Sequence, residues 1–474
     1  MNFISLEYGY FLLLPIVLYY VLPKLCQKYI LLIFSILFYL SYSRKAFVFM
    51  LVSGILTYVF ARSISSVKQT KKRKIFLALA IIINLCILLL FQIGIAERYS
   101  LVIPLGISFY TLALSGYLID VYRKTVLVEK NFLDLFLFES FFPHILQGPI
   151  ARYGQLSLQF KKVHIFQYTK FCHGFQLMLW GYIKKMVIAD RAAIYVDAIY
   201  QNCYTVSGTE LFIASLLYSL TIFADFSGCV DIARGTAAVF GIELTENFRQ
   251  PYLAVSIQDF WRRWHISLSS WFRDYLYIPL GGNRKGKFRK WINLFIVFFV
   301  SGIWHGAGIN FLIWSLLHSL YQMAGVLLQG VREKMYKLLH LSRQEIFSRG
   351  IQVIITFLLV NLAWIFFRIP DVRQACYIIK TIIWNPRPGV LFDGSLAKYG
   401  GGVTMKDFYI LVIFTLVMFA VEIMNYRGTC IRESIERQRL PLRWFIYLLG
   451  IFSIIIWGIY GKGYNASDFI YMKF

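Results

Sequence analysis

Thirteen stretches of this chain are apolar enough, for long enough, to be read as helices in a lipid bilayer. They lie near Tyr8–Leu22, Tyr29–Tyr42, Ala46–Ala61, Ile75–Ile95, Leu101–Ile119, Phe132–Ile145, Phe171–Ala189, Leu211–Phe226, Trp291–Ile309, Phe311–Leu328, Ile351–Ile369, Phe408–Ile423 and Trp444–Tyr460. Hydrocarbon offers no hydrogen bonds, so a spanning segment must satisfy its own backbone, and only helices and closed barrels do so. The period-2 alternation of a barrel is absent. A helix crosses the core in roughly 17–25 residues, and several of these runs are short or broken by Gly, Pro or charge. The expectation is an all-α polytopic membrane protein with about 11–13 helices, some of them re-entrant. Composition agrees: 58% of the 474 residues are hydrophobic and 15% are charged, whereas soluble domains carry about a quarter charged residues.

The formal net charge is +25, which in a soluble protein would suggest a nucleic acid partner. Here the basic residues cluster in short loops between apolar runs, the pattern of a cytoplasmic face. These loops are Arg62–Lys74, Gly281–Lys290, Arg332–Arg349 and Arg427–Arg443. With all four inside, the helices from Trp291 onward alternate regularly, and Pro370–Asp407 and Lys462–Phe474 fall outside. The stretch Leu101–Leu280 resists a simple hairpin count. The first residues lack a basic leader and a small-residue cleavage site, so they read as a retained helix. The seven cysteines show no metal-ligand spacing and read as core fillers. No internal repeat is apparent, which argues weakly against the common transporter architectures. The chain reads as one domain, with N-terminal helices over 1–100, a core over 101–328 and C-terminal helices over 329–474.

Two histidines stand where a bilayer should exclude them. His305 lies in FIVFFVSGIWHGAGINFLI (Phe295–Ile313), and His265 lies in WRRWHISLSSWFRDYLYIPLGG (Trp261–Gly282). Ionisable groups at membrane depth are costly and mark function by default, and imidazole is suited to take and return a proton near neutral pH. Around His305, glycines 302, 306 and 308 give backbone or ligand room to approach. That context favours function over plain packing. Trp304, beside it, and Asn310 are further candidates at the same depth. His318 is 13 residues beyond His305, about 220° around a continuous helix, so a direct pair requires a break, which Gly306 and Gly308 would supply.

Trp261, Trp264, His265, Leu268 and Phe272 fall on one helical stripe, which predicts an amphipathic helix over Trp261–Arg273 with His265 on its buried face. Taken alone, that position favours a core histidine. Arg262, Arg263 and Arg273 lie off the stripe. They are either snorkelling residues or a phosphate-binding set for a nucleotide-containing donor. In ADFSGCVDIA (Ala224–Ala233), Asp225 and Asp231 face opposite ways and form no dyad. Asp225, Ser227 and Asp231 fall at the end of an apolar span, and the carboxylates are expected to neutralise Arg262, Arg263 or Arg273. Pro104–Arg123 and Phe142–Arg152, which carries His144, read as broken helices lining a cavity; His144 alone reads as an interfacial residue.

These segments, PLGISFYT, QGPIARY, DFSGCVDIA, ENFRQPYLAVSIQDFWRRWHISLSSWFRDYLYIPLGGNRKG and SGIWHGAGINFLIWSLLH, occur in the order in which the membrane-bound O-acyltransferase (MBOAT) family carries them. The chain resembles that family, and within it the bacterial branch of alginate and peptidoglycan O-acetyltransferase membrane subunits. The resemblance is strong over Pro104–His318. It implies helices enclosing a central tunnel, and acyl transfer from a cytoplasmic thioester to an acceptor handled on the outer side of the cell membrane. It also implies that His305 is the active-site histidine of the W-H-G motif and His265 the histidine of the R-W-H motif. Cys229–Val230 and His144 depart from the usual residues, away from both histidines.

The expected donor is acetyl-CoA or another short acyl thioester, drawn to a basic mouth near Arg284, Lys285 and Lys287. No metal and no tightly bound cofactor is expected. Expected partners are membrane lipid, an extracytoplasmic SGNH-type acetyltransferase and a polysaccharide acceptor, with no nucleic acid. His305 would serve as general base or carry the acyl group itself, and His265 would orient the acceptor or polarise the carbonyl. Two other readings of the residues remain: a transporter or flippase for a polar lipid or glycan, and a scaffold for polysaccharide export.

Overall fold

The computed structural model describes residues 4–93, 101–145, 147–338, 342, 345–391 and 405–460. The described residues form helices joined by turns, with no strand among them. The expected placements of Lys462–Phe474 and of the central part of Pro370–Asp407 lie outside the described residues. Among the described residues seven helices are long and apolar enough to cross a membrane, or eight if the bent pair Ile309–Leu327 and Gln329–Leu338, which turns by 53°, is one span. The other expected spans are present as helices that are shorter, interrupted or charged at one end. The Phe132–Ile145 run is two helices, Phe132–Ser140 and Phe142–Ile145. The Phe171–Ala189 run is an α-helix to Tyr182 followed by a π-helical turn, Ile183–Ala189. The Leu211–Phe226 run extends into a 32-residue helix, Gly208–Val239.

The chain divides into two compact units. The first holds residues up to Tyr182 together with Gly228–Glu246. Its helices Tyr168–Tyr182 and Gly208–Val239 cross where both carry glycine. A Cβ at Gly235 would stand 2.5 Å from the Gly174 carbonyl oxygen, and one at Gly181 would stand 2.6 Å from that of Gly228. Small residues seven apart therefore let two backbones touch, the usual device for packing helices in lipid. Tyr8 and Tyr20, on the first helix, donate from their hydroxyls to Thr236 Oγ1 (3.2 Å) and the Val239 carbonyl (2.6 Å).

One carboxylate organises the turn between Ile107–Arg123 and Phe132–Ser140 in this unit. Glu129 accepts from the N–H groups of Lys130 (2.8 Å) and Asn131 (3.0 Å), from the Tyr153 hydroxyl (2.7 Å) and from Lys161. Burial alone would raise its pKa. The Lys161 and Tyr153 hydrogen bonds outweigh that and hold it at about 2. A carboxyl depressed on folding stabilises the fold above its ordinary pKa and loses that contribution as pH falls towards the folded value. Glu129→Gln is therefore expected to lower the melting temperature in detergent at pH 7, with the gap from the unsubstituted protein closing as pH approaches 2. A gap that stays constant with pH would contradict this account.

The second unit holds Ile183–Ser227 and the residues from Asn247 onward. Its centre is a hairpin, Gly286–His305 and Ile309–Leu327, packed against Ile346–Arg368. The hairpin is close because a Cβ at Gly302 would lie 2.6 Å from Ser315 Oγ. Asn310 fastens it, donating its side-chain amide to the Phe366 carbonyl at 3.2 Å.

Candidate active site

The glycines after His305 end a helix, as their spacing predicts. His305 is the last residue of Gly286–His305, and Gly306 follows it as the cap. The ring is buried at 2% exposure. It meets Trp304 (centroids 4.8 Å apart), Trp314 (5.0 Å) and Phe367 (5.3 Å), all nearly edge-on. Edge-to-face packing of this kind holds rings in fixed orientations.

His265 is reached differently from the expectation. The stripe from Trp261 to Phe272 predicts one helix, and the structure has two, Ile257–Arg263 and Ile266–Phe272. Between them His265 takes a left-handed backbone, φ 46° and ψ 55°, a conformation costly for a residue with a side chain. Tertiary hydrogen bonds impose it. Asn247, fully buried, accepts the Ile266 N–H on its carbonyl (3.0 Å) and the Ser267 N–H on Oδ1 (2.9 Å). The Arg249 N–H donates to the Arg263 carbonyl at 3.0 Å. The break turns the 1%-exposed His265 onto Phe226 (4.8 Å) and Trp304 (6.2 Å). Trp304 thus meets both histidine rings. Asn247 lies in the ENFRQ segment, but its capping role leaves no local sequence signature, because its partners are about 20 residues away.

His318 does not join the pair directly. Trp314 stands between, 5.0 Å from His305 and 5.3 Å from His318. His318 accepts the Trp261 indole N–H on Nδ1 at 3.3 Å and stacks on Phe260 and Phe298.

A cavity of about 640 Å³ leads towards this cluster. Lys290, Leu294, Val297 and Ser301 line it from one face of the Gly286–His305 helix, with Trp261, Leu268 and Tyr321 among the residues opposite. From Lys290 to Ser301 the helix rises about 16 Å. His305 follows Ser301 by four residues, so it continues the same face one turn beyond the cavity-lining stripe. At the other end the lining includes Arg273, Asn283 and Arg332.

The remaining candidates fall elsewhere. Asp225 does not pair with Arg262, Arg263 or Arg273. It ion-pairs with Lys185 at 2.6 Å, and both are buried. The expectation overlooked Lys185 because it lies inside an apolar run 40 residues upstream. Arg263 pairs with Asp259 (3.0 Å) and Arg273 with Asp274 (2.8 Å), while Arg262 is exposed. Of these three arginines only Arg273 lines the cavity. Arg284, Lys285 and Lys287 are exposed on the turn before the helix and its first residues. Asp225 and Ser227 lie well inside the long Gly208–Val239 helix, not at the end of a span. Among the described residues no three His, Cys, Asp or Glu side chains gather as metal ligands would. Because Asn247 holds the break, Asn247→Ala is expected to lower stability by about 1–3 kcal/mol, the cost of orphaning a buried N–H; thermal unfolding in detergent checks it.

Comparison with known proteins agrees with this architecture. The family model for MBOAT, membrane-bound O-acyltransferase family, matches residues 34–367. The chain is 33% identical over 416 residues to a peptidoglycan O-acetyltransferase of Helicobacter pylori, covering 79% of this chain and 76% of that protein. It is 35% identical over 390 residues to the probable alginate O-acetylase AlgI of Pseudomonas syringae, covering 77% and 72%. It is 32% identical over 237 residues to the teichoic acid D-alanyltransferase of Bacillus subtilis, covering 47% and 58%. The helical fold with its membrane-crossing helices and these matches together make this chain a multi-pass membrane acyltransferase of the membrane-bound O-acyltransferase family.

Proposed function

We propose that this protein moves an acetyl or other short acyl group from a cytoplasmic thioester to a hydroxyl acceptor used in modifying an extracellular or cell-wall polysaccharide. The observation that carries the reading is His305, one helical turn beyond the end of a long cavity whose outer lining is basic. In this reading the donor is acetyl-CoA or a related acyl thioester. Arg273, Lys290 and Arg332 hold its phosphates, and its thioester reaches past Ser301. The uncharged imidazole of His305 takes the proton of the acceptor hydroxyl as the oxygen attacks the thioester carbonyl. The C–O bond forms, the C–S bond breaks, and the imidazolium returns the proton to the thiolate. The transfer is therefore neutral in protons overall. His265 sits across Trp304 from His305, suited to orient the acceptor or polarise the carbonyl.

The relatives' names point to the acceptor. They act on peptidoglycan, alginate or teichoic acid, all polymers outside the cytoplasmic membrane. The hydroxyl that receives the acyl group is then a serine of an extracytoplasmic SGNH-type acetyltransferase that passes it on, or the glycan itself. A transporter that moved a glycan without cleaving a thioester would release no coenzyme A, and this distinguishes it from the reading above.

His305→Ala is expected to cut transfer from labelled acetyl-CoA in membranes by at least about 100-fold, with the protein still monodisperse in detergent. His265→Ala is expected to lose less. Undiminished transfer by folded His305→Ala overturns the assignment. Separately, Arg273→Ala, Lys290→Ala or Arg332→Ala is expected to raise KM for the donor about tenfold, equivalent to 1.4 kcal/mol, with kcat unchanged. The effect should shrink as salt screens the mouth.

A further inference from the structure

Lys184 and Lys185 play no part in the chemistry above, yet they are buried, with 3% and 2% exposure. They lie in the π-helical turn Ile183–Ala189, a distortion that often marks functional sites. Both side chains reach the Gly208–Val239 helix. Lys185 Nζ stands 2.6 Å from Asp225 Oδ1 and 2.7 Å from Asp190 Oδ1. Lys184 Nζ donates to Ser227 Oγ at 3.0 Å. The two attachment points flank Phe226, whose ring lies 4.8 Å from that of His265 at an angle of 83°.

The other side of the turn is anchored too. The Met186 carbonyl accepts the Ile459 N–H at 3.0 Å. The adjoining Arg191 donates to the Trp457 carbonyl (2.9 Å) and ion-pairs with Asp407 (3.5 Å). The turn is therefore a strut that runs from the Met405–Tyr426 and Leu440–Trp457 helices to the residues beside Phe226. Holding the long helix at 225 and 227 fixes its rotation where Phe226 meets His265. Burying Lys184, Lys185, Asp190 and Asp225 is expensive, and replacing such groups with apolar residues is often no worse for stability. Stability alone is therefore a weak reason for the arrangement.

We propose that Lys185, with Lys184, is a positioning pair for the reaction: it locks Asp225 and Ser227 so that Phe226 holds the His265 ring in its working orientation. This role rests on the reading of His265 given above. A positioning residue acts through the group it positions, so its effect must vanish when that group is gone. The test is a double-mutant cycle on full-length protein in membranes, with labelled acetyl-CoA as donor. Lys185→Met and Phe226→Leu are each expected to lower kcat about 10- to 100-fold, the scale of a small misplacement of a reacting group, with donor KM unchanged. Lys185→Arg should restore part of the loss. In a His265→Ala background neither substitution should lower kcat further.

Losses that add to that of His265→Ala overturn the strut while leaving the histidine assignment standing. A folded Lys185→Met or Phe226→Leu protein with full kcat does the same. A His265→Ala protein at full rate overturns the reading of His265, and this role falls with it. If Lys185→Met does not fold, Phe226→Leu, which leaves every ion pair in place, decides the matter by the same cycle.

Discussion

A helix broken in the buried interior is the constraint on which the rest of this site depends. A side chain on an unbroken spanning helix lies against its neighbours, whereas one at a helix end projects past the last turn. His305 ends a helix, and His265 is the bend between two short ones. Each break frees backbone groups that lipid cannot satisfy. They are satisfied from within the protein: Gly306 caps by returning its N–H to Gly302 and Ile303, and Asn247 takes the N–H groups of Ile266 and Ser267. A left-handed histidine persists only because several hydrogen bonds outside its own helices over-determine it.

Aromatic rings then convert the two bends into a fixed geometry. Trp304 meets both histidines, Trp314 joins His305 to His318, and Trp364 stacks on Trp314 at 5.7 Å while meeting Phe367 at 5.3 Å. Such pairs contribute about 0.5–1.5 kcal/mol each beyond the area they bury, and tryptophan has few rotamers to lose. In a membrane, where water does not drive helices together, this dense contact supplies positional precision that aliphatic packing would not.

The helical fold and the helix end at His305 were legible in the sequence for the same reason: both are set by local pattern. Apolar runs, basic loops and the glycines around His305 each act within a few residues. The spacing Lys290, Leu294, Val297, Ser301, His305 is also a plain helical stripe, although only the cavity gives it meaning. The break at His265 was illegible because the stripe Trp261, Trp264, His265, Leu268, Phe272 satisfies a continuous helix equally well. What overrides it is Asn247, tertiary and distant. The partner of Asp225 was illegible for a related reason. Lys185 sits in an apolar run, and only the π-helical turn brings two consecutive lysines onto one neighbouring helix. Arginines close to Asp225 in the pattern of charge went instead to Asp259, Asp274 and the surface.

The cations are thus divided by environment, and the division follows from their chemistry. Lys185, in the interior, is matched by two carboxylates at hydrogen-bonding distance; a compact ammonium on a flexible stem can reach both. Arg273 and Arg332 line the cavity, and a guanidinium's planar fork is able to meet an oxyanion through two hydrogen bonds at once. Arg273 already holds Asp274, but its side chain remains 63% exposed, so its guanidinium stays accessible to an anion without the loss of a buried partner. At the histidines the neighbours are aromatic instead: Trp304, Trp314 and Phe367 surround His305, and Phe226 and Trp304 meet His265, so their orientation is set by ring packing.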